Sequence, residues 1–164
     1  MSKFTVSAVI AYPIEEVFSS FIKLAKEPFN KFNEENPIGA KSKRVARRTK
    51  SGDIYMETSV IDYIKNEAYE TKTMFLSSEY KSRYEFKDAG DGCTEILLTE
   101  SQDLYGIMNK IGFLFQYLTA KKKIQKKLNG AVESLEDKII KERNKKRIKI
   151  KLILDTNNDK SYIY

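Results

Sequence analysis

The chain of 164 residues contains no histidine, no tryptophan, one cysteine and three prolines. Each scarcity closes a class of chemistry. Without histidine there is no His-based triad, no His-ligated zinc, and not the commonest general base. A single thiol, Cys93, forms no intramolecular disulfide and builds no multi-cysteine metal centre. The expected compartment is therefore the reducing cytoplasm. No apolar run approaches the ~20 residues that cross a bilayer. The opening MSKFTVSAVIAYP lacks the long apolar stretch and small-residue cleavage site of a secretory leader, so none is expected. No phosphate-cradling glycine loop or dinucleotide fingerprint occurs, and Asp88-Ala89-Gly90-Asp91-Gly92 lacks the ligand ladder of a calcium loop. No metal or cofactor is expected.

Aromatic residues and positive charge are abundant instead. Nine Phe and ten Tyr supply a core suited to one ordinary domain. The net charge of +7 is concentrated: residues 121–151 carry a net +9 and the remainder −2. Such a block points to an anionic surface or to a solvated helix face.

The pattern changes period twice. Lys3 to Ala11 is β-branched and aromatic and reads as a strand. Pro13, Glu15 and Glu16 mark a helix start, and Ile14, Val17, Phe18, Phe21 and Ile22 make one apolar stripe. Phe29 and Phe32 predict a second short helical turn ending near Asn36-Pro37. Segments 42–49, 53–63, 68–76, 79–87 and 93–102 then alternate, with short turn-rich separators, as consecutive antiparallel hairpins do. Helical spacing returns from Leu104 to about Glu142, with a bend expected around Gly106–Gly112 and the main helix from Phe113–Leu118. Residues 147–154 alternate like a strand, which suits an edge strand, pairing with a second chain, membrane contact, or a frayed extension with no role.

The first strand running into Ala11-Tyr12-Pro13-Ile14-Glu15-Glu16-Val17-Phe18, and the order of elements, resemble the START-like superfamily, also called SRPBCC or birch-pollen-allergen-like. Gly112-Phe113-Leu114-Phe115-Gln116-Tyr117-Leu118 followed by Lys121-Lys122-Lys123 is similar to a bacterial family of unknown function within it. The resemblance implies an α+β helix-grip fold: a curved antiparallel sheet of about six strands wrapped around a long C-terminal helix, with short helices after strand 1. It covers residues 1–142 as a domain and leaves 143–164 as a basic extension. It also implies a cavity between sheet and helix for a small hydrophobic or lipid-like ligand, bound without catalysis.

Alternation assigns the inward face. Tyr80, Ser82, Tyr84 and Phe86 oppose Lys81, Arg83, Glu85 and Lys87; Thr94, Ile96, Leu98 and Glu100 share the next inner face; Tyr69, Thr71, Thr73 and Phe75 oppose Glu70 and Lys72. The ligand-contacting candidates are Tyr69, Thr71, Tyr80, Tyr84, Ile96, Leu98 and Glu100. An inward carboxylate must be paired, hydrogen-bonded or protonated, so Glu100 either orients a polar ligand group or works with a tyrosine in a cyclase- or hydratase-like reaction. The bland alternative puts Glu100 at the cavity mouth in water. Lys122, Lys123, Lys126 and Lys127 cluster beside the apolar run 111–118 and are candidates for contact with an anionic membrane surface. That run serves equally as a cap on the sheet's open end. Nucleic acid is not an expected partner, because no recognition motif occurs and the tyrosines are assigned inside. A basic module for an anionic protein or nucleic acid is the remaining alternative. Composition leaves the oligomeric state open.

Overall fold

A computed structural model describes residues 2–102 and 110–158, with side chains over 3–101 and 120–151. The elements are β1 (Ser2–Ile10), α1 (Ile14–Ala25), β2 (Lys41–Thr49), β3 (Gly52–Ile64), β4 (Ala68–Phe75), β5 (Ser78–Gly90), β6 (Cys93–Gln102) and α2 (Lys110–Asn158). The six strands form one antiparallel sheet in the order β1-β6-β5-β4-β3-β2. Five strands follow one another as hairpins, and β1 closes onto β6, Ser2 opposite Gln102 and Ile10 opposite Thr94. Register breaks at Val45/Arg47, Val60/Asp62 and Asp88/Gly90 add local bends of the kind that curve a sheet. The expected helix-grip architecture is present.

α1 forms where Pro13 fixes the entry and Glu15 and Glu16 meet the positive end of the helix dipole. Its stripe of Val17, Phe18, Phe21 and Ile22 is buried against the sheet. Phe21 sits at the centre of an aromatic cluster, 4.8 Å from the Tyr84 ring, 5.1 Å from Phe86 and 5.4 Å from Tyr69. α2 contributes Ile124, Leu128, Leu135 and Ile139 to the same core, at the spacings one helical face requires. Thr94 Oγ1 donates to the Tyr12 carbonyl at 2.7 Å and pins the β1–α1 corner to β6.

Three expectations are corrected. Residues 29–36 are irregular, with bends and no second helix. Phe29 is buried and Phe32 packs on it with ring centroids 5.5 Å apart, so their spacing reflects packing between Pro28 and Pro37. Residues 147–154 are helical, not strand-like: α2 runs unbroken to Asn158. No strand among the described residues pairs with it, and as a continuation of α2 its backbone groups bond within the helix. α2 also starts earlier than expected, at Lys110, with Gly112 inside it. The bend expected over 106–112 lies partly at residues 103–109, outside the described residues. The boundary placed at 142/143 falls inside α2, where Arg143 donates two hydrogen bonds to Glu16 at 2.7 and 2.9 Å. At 49 residues α2 is roughly 74 Å long, well beyond a nine- to thirteen-residue strand, so its C-terminal part projects past the core.

Candidate functional site

Two cavities lie end to end between the sheet's concave face and α2. The one on the α1 side, the inner one along the sheet although the more open of the two to solvent, is about 390 Å³ and is walled by Phe21, Leu24, Ala25, Pro28 and Phe29, and by Thr58, Tyr69, Thr71 and Tyr84 from the sheet. Ala131, Ser134 and Leu135 of α2 complete it. The second, about 450 Å³, is bounded by Phe4, Met56, Thr73, Phe75, Tyr80, Ser82 and Glu100 on the sheet and by Ala120, Lys123, Ile124 and Lys127 on α2. Thr58 of the first and Thr73 of the second share a hydrogen bond of 2.9 Å across β3 and β4, so the two cavities abut. Both volumes fall within the ~300–1,000 Å³ typical of small-molecule sites. A larger cleft of about 700 Å³ lies between α1 and the β3–β4 turn, with Phe18, Ile22 and Tyr63 on its floor and Glu15, Glu34, Glu35 and Lys65 around them.

The alternation that placed tyrosines and threonines inward holds for these walls. Tyr69, Thr71 and Tyr84 meet in the inner cavity, and Tyr80 and Glu100 in the outer one. Ile96 and Leu98 also face inward, but they are 1% and 0% exposed and belong to the packed core, not to either cavity wall. The α1 side of the inner cavity, with Phe21 and Phe29, was absent from the sequence reading. Helical periodicity shows that a stripe is buried, not that it stops short of the surface it faces.

Polar groups are distributed unequally. Two buried hydroxyls, Tyr69 and Ser20, have no hydrogen-bond partner among the described residues, and Tyr69 is only 3% exposed. Burial first, and the neighbouring Tyr84 second, push its ionisation well above the ordinary tyrosine range. Tyr84 is also raised, by burial above all; Lys127 opposes the shift and Glu100 adds to it. Glu100 is half-buried at the outer cavity, where it accepts from Ser82 Oγ at 3.1 Å and is ion-paired with Lys127. Neither Tyr80 nor Tyr84 is among its hydrogen-bond partners in the described residues, so the carboxylate works with a lysine and a serine, not a tyrosine.

The four candidate lysines divide. Lys123 and Lys127 border the outer cavity, while Lys122 and Lys126 are exposed and line neither cavity. Helical geometry forces this split: 123 and 127 are one turn apart beside buried Ile124 and Leu128, and 122 and 126 sit further round. The apolar run 111–118 has no described side chains, so its reading lies outside the described residues. No group of three or more metal-ligating side chains occurs among the described residues. No helix among them is long and apolar enough to cross a membrane.

The architecture recurs in solved structures. A protein of unknown function, SA2116 from Staphylococcus aureus, is similar with a TM-score of 0.61 and 11% identity, over 87% of this chain and 97% of its own. Ara h 8.0201 is similar at 0.52 and 14% identity, over 85% and 98%. The Aha1 dimer from Colwellia psychrerythraea is similar at 0.50 and 14%, over 83% and 97%. At these identities the likeness establishes the fold alone. No curated protein matches the sequence. A family profile matches residues 4–121, from the first strand through the beginning of α2, and on that match the chain belongs to the family described as a domain of unknown function, DUF3284.

Proposed function

We propose that this protein is a non-catalytic carrier or sensor that binds a small, mainly apolar molecule bearing one hydrogen-bonding group between sheet and α2. The buried Tyr69 hydroxyl carries the reading. An unpartnered buried hydroxyl costs stability, and native interiors seldom retain one. Tyr69 contributes to the wall of a cavity whose other surfaces are aromatic rings, aliphatic side chains, two threonines and a serine, and its hydroxyl is sealed behind that wall, so a ligand reaches it by displacing its neighbours. A ligand hydroxyl or carbonyl would give Tyr69 its missing partner while its apolar body displaces water from the Phe21, Phe29 and Leu135 walls. Glu100, Lys127 and Ser82 then form a charged rim at the outer cavity.

The test is a thermal-shift screen over fatty alcohols, fatty acids, sterols and aromatic polyketides. A ligand at a hundredfold its Kd stabilises by about 2.7 kcal/mol, which at this chain length raises Tm by roughly 5–11 °C. Binders should be displaced by a neutral fluorescent apolar probe such as phenylnaphthylamine. Failure of the whole panel and of the probe to bind would remove the proposal.

A further inference from the structure

The outer cavity opens at one tip of the sheet, and that tip has an unusual surface. Residues 41–50 hold six basic residues and no acidic one, a cluster hidden in sequence by averaging over an otherwise acidic remainder. They form β2, which is the free edge of the sheet, and its turn into β3. Arg44 donates to the sulfur of cavity-lining Met56 at 3.4 Å, which fixes the strand at the cavity rim. Arg47, Arg48 and Lys50 have no ion-pair partner among the described residues, nor does Lys123, which borders the outer cavity from α2.

Apolar side chains are exposed at the same tip. Val45 faces Tyr55 across β2–β3, and the row continues to Leu76 in the β4–β5 turn, with Met74 alongside. They are 39%, 48%, 68% and 40% exposed. Lys43 lies 4.5 Å over the Tyr55 ring. Leu76 also holds a left-handed backbone, φ 54°, so a bulky apolar residue stands where glycine fits best, and none of the described residues covers it. Both signs of charge flank these side chains, with Lys43 and Arg48 on β2 and Asp53, Glu57 and Glu79 on the strands beside them, while Arg44 lies with Met56 on the opposite face, so the excess positive charge belongs to β2 itself.

We propose that this tip docks on the anionic surface of a phospholipid bilayer, with Leu76 and Tyr55 entering the interface and Arg44, Arg47, Arg48 and Lys50 meeting headgroup phosphates. The occupant follows from charge and shape. The basic groups come from two elements on either side of one opening, and the apolar residues project from turns and strand edges instead of lining a groove for a peptide. The orientation rests on the cavity reading above, because it points the outer opening at the source of an apolar ligand.

The experiment is co-sedimentation of the full chain with phosphatidylcholine vesicles, with and without about one third phosphatidylglycerol. Binding is expected to the anionic vesicles only and should be lost near ~0.5 M salt. The triple variant Arg44→Glu, Arg47→Glu, Arg48→Glu, and separately Leu76→Asp, should each weaken it by about tenfold or more. Lys145→Glu, Lys149→Glu, Lys151→Glu on the projecting end of α2 should retain most binding. If the hairpin variants bind like the parent and the α2 variant carries the loss, the proposal is wrong. If the hairpin variants lose affinity for polyglutamate but keep vesicle binding, the tip serves an acidic protein instead. Phenylnaphthylamine uptake without vesicles separates the two readings: uptake with no vesicle binding sinks docking alone, and vesicle binding with no uptake sinks the cavity alone.

Discussion

Removing one oxygen atom, by Tyr69→Phe, tests the ligand reading most directly. The substitution keeps the ring, its packing at 5.4 Å from Phe21 and its place in β4, and deletes only the buried hydroxyl that has no partner. An unsatisfied buried hydroxyl costs about 1–3 kcal/mol, and that cost disappears in the variant. For a chain of this length 1 kcal/mol corresponds to roughly 2–4 °C in Tm. The ligand-free variant should therefore melt about 2–12 °C above the parent by scanning calorimetry. Were the hydroxyl already satisfied, its loss would remove a bond worth about 0.5–1.5 kcal/mol and Tm would fall. The sign of the shift thus decides the matter, and a fall would refute the reasoning. The second arm uses ligands. A molecule with a hydroxyl or carbonyl should bind Tyr69→Phe about five- to tenfold more weakly, while a purely hydrocarbon ligand should not distinguish the two proteins.

Other consequences follow from the same geometry. Burial raises the Tyr69 and Tyr84 ionisations. Below the unfolded tyrosine value near ~10 both states are neutral and this contribution is intact; above it only the unfolded chain ionises, so stability falls as pH rises. Ultraviolet titration should show these tyrosinates appearing together with unfolding, and separate titration of all ten tyrosines in a folded protein would contradict it. The Arg143 guanidinium, by hydrogen bonding, holds the Glu16 carboxyl below its ordinary value. That contribution is present above the unfolded glutamate value near ~4.3 and is lost as pH falls, so Glu16→Gln should flatten the acid limb of a Tm-against-pH curve. Leu135→Ala, at a fully buried α2 position, should cost about 2–5 kcal/mol in urea unfolding; a loss below that would mean the helix is not gripped. On the convex face Arg83 binds Asp62 at 2.6 Å, Glu70 at 2.9 Å and Glu85 at 3.4 Å. Arg83→Gln leaves three carboxylates together and should destabilise by about 1–3 kcal/mol, partly recovered in high salt, and an effect indifferent to salt would refute the electrostatic account.

Local chemistry was enough to read the elements themselves. Period-two alternation over 79–87 and 93–102 placed Tyr80, Tyr84 and Glu100 on the concave face, because side chains on a pleated strand have only two directions to take. The Pro13-Glu15-Glu16 start and the stripe through Phe21 fixed α1 for a similarly local reason. Where the alternation was misleading, at 147–154, no neighbouring strand existed to accept the hydrogen bonds, and only the assembled chain reveals that. The same holds for Glu100, whose lysine partner lies 27 residues away on α2, and for Ile96 and Leu98, which share Glu100's face yet are sealed by packing. It holds above all for the empty space between the sheet and α2 beside Tyr69 and Glu100. Periodicity specifies which way a side chain points, whereas distance across the interior depends on how sheet curvature and helix placement sum over the whole fold.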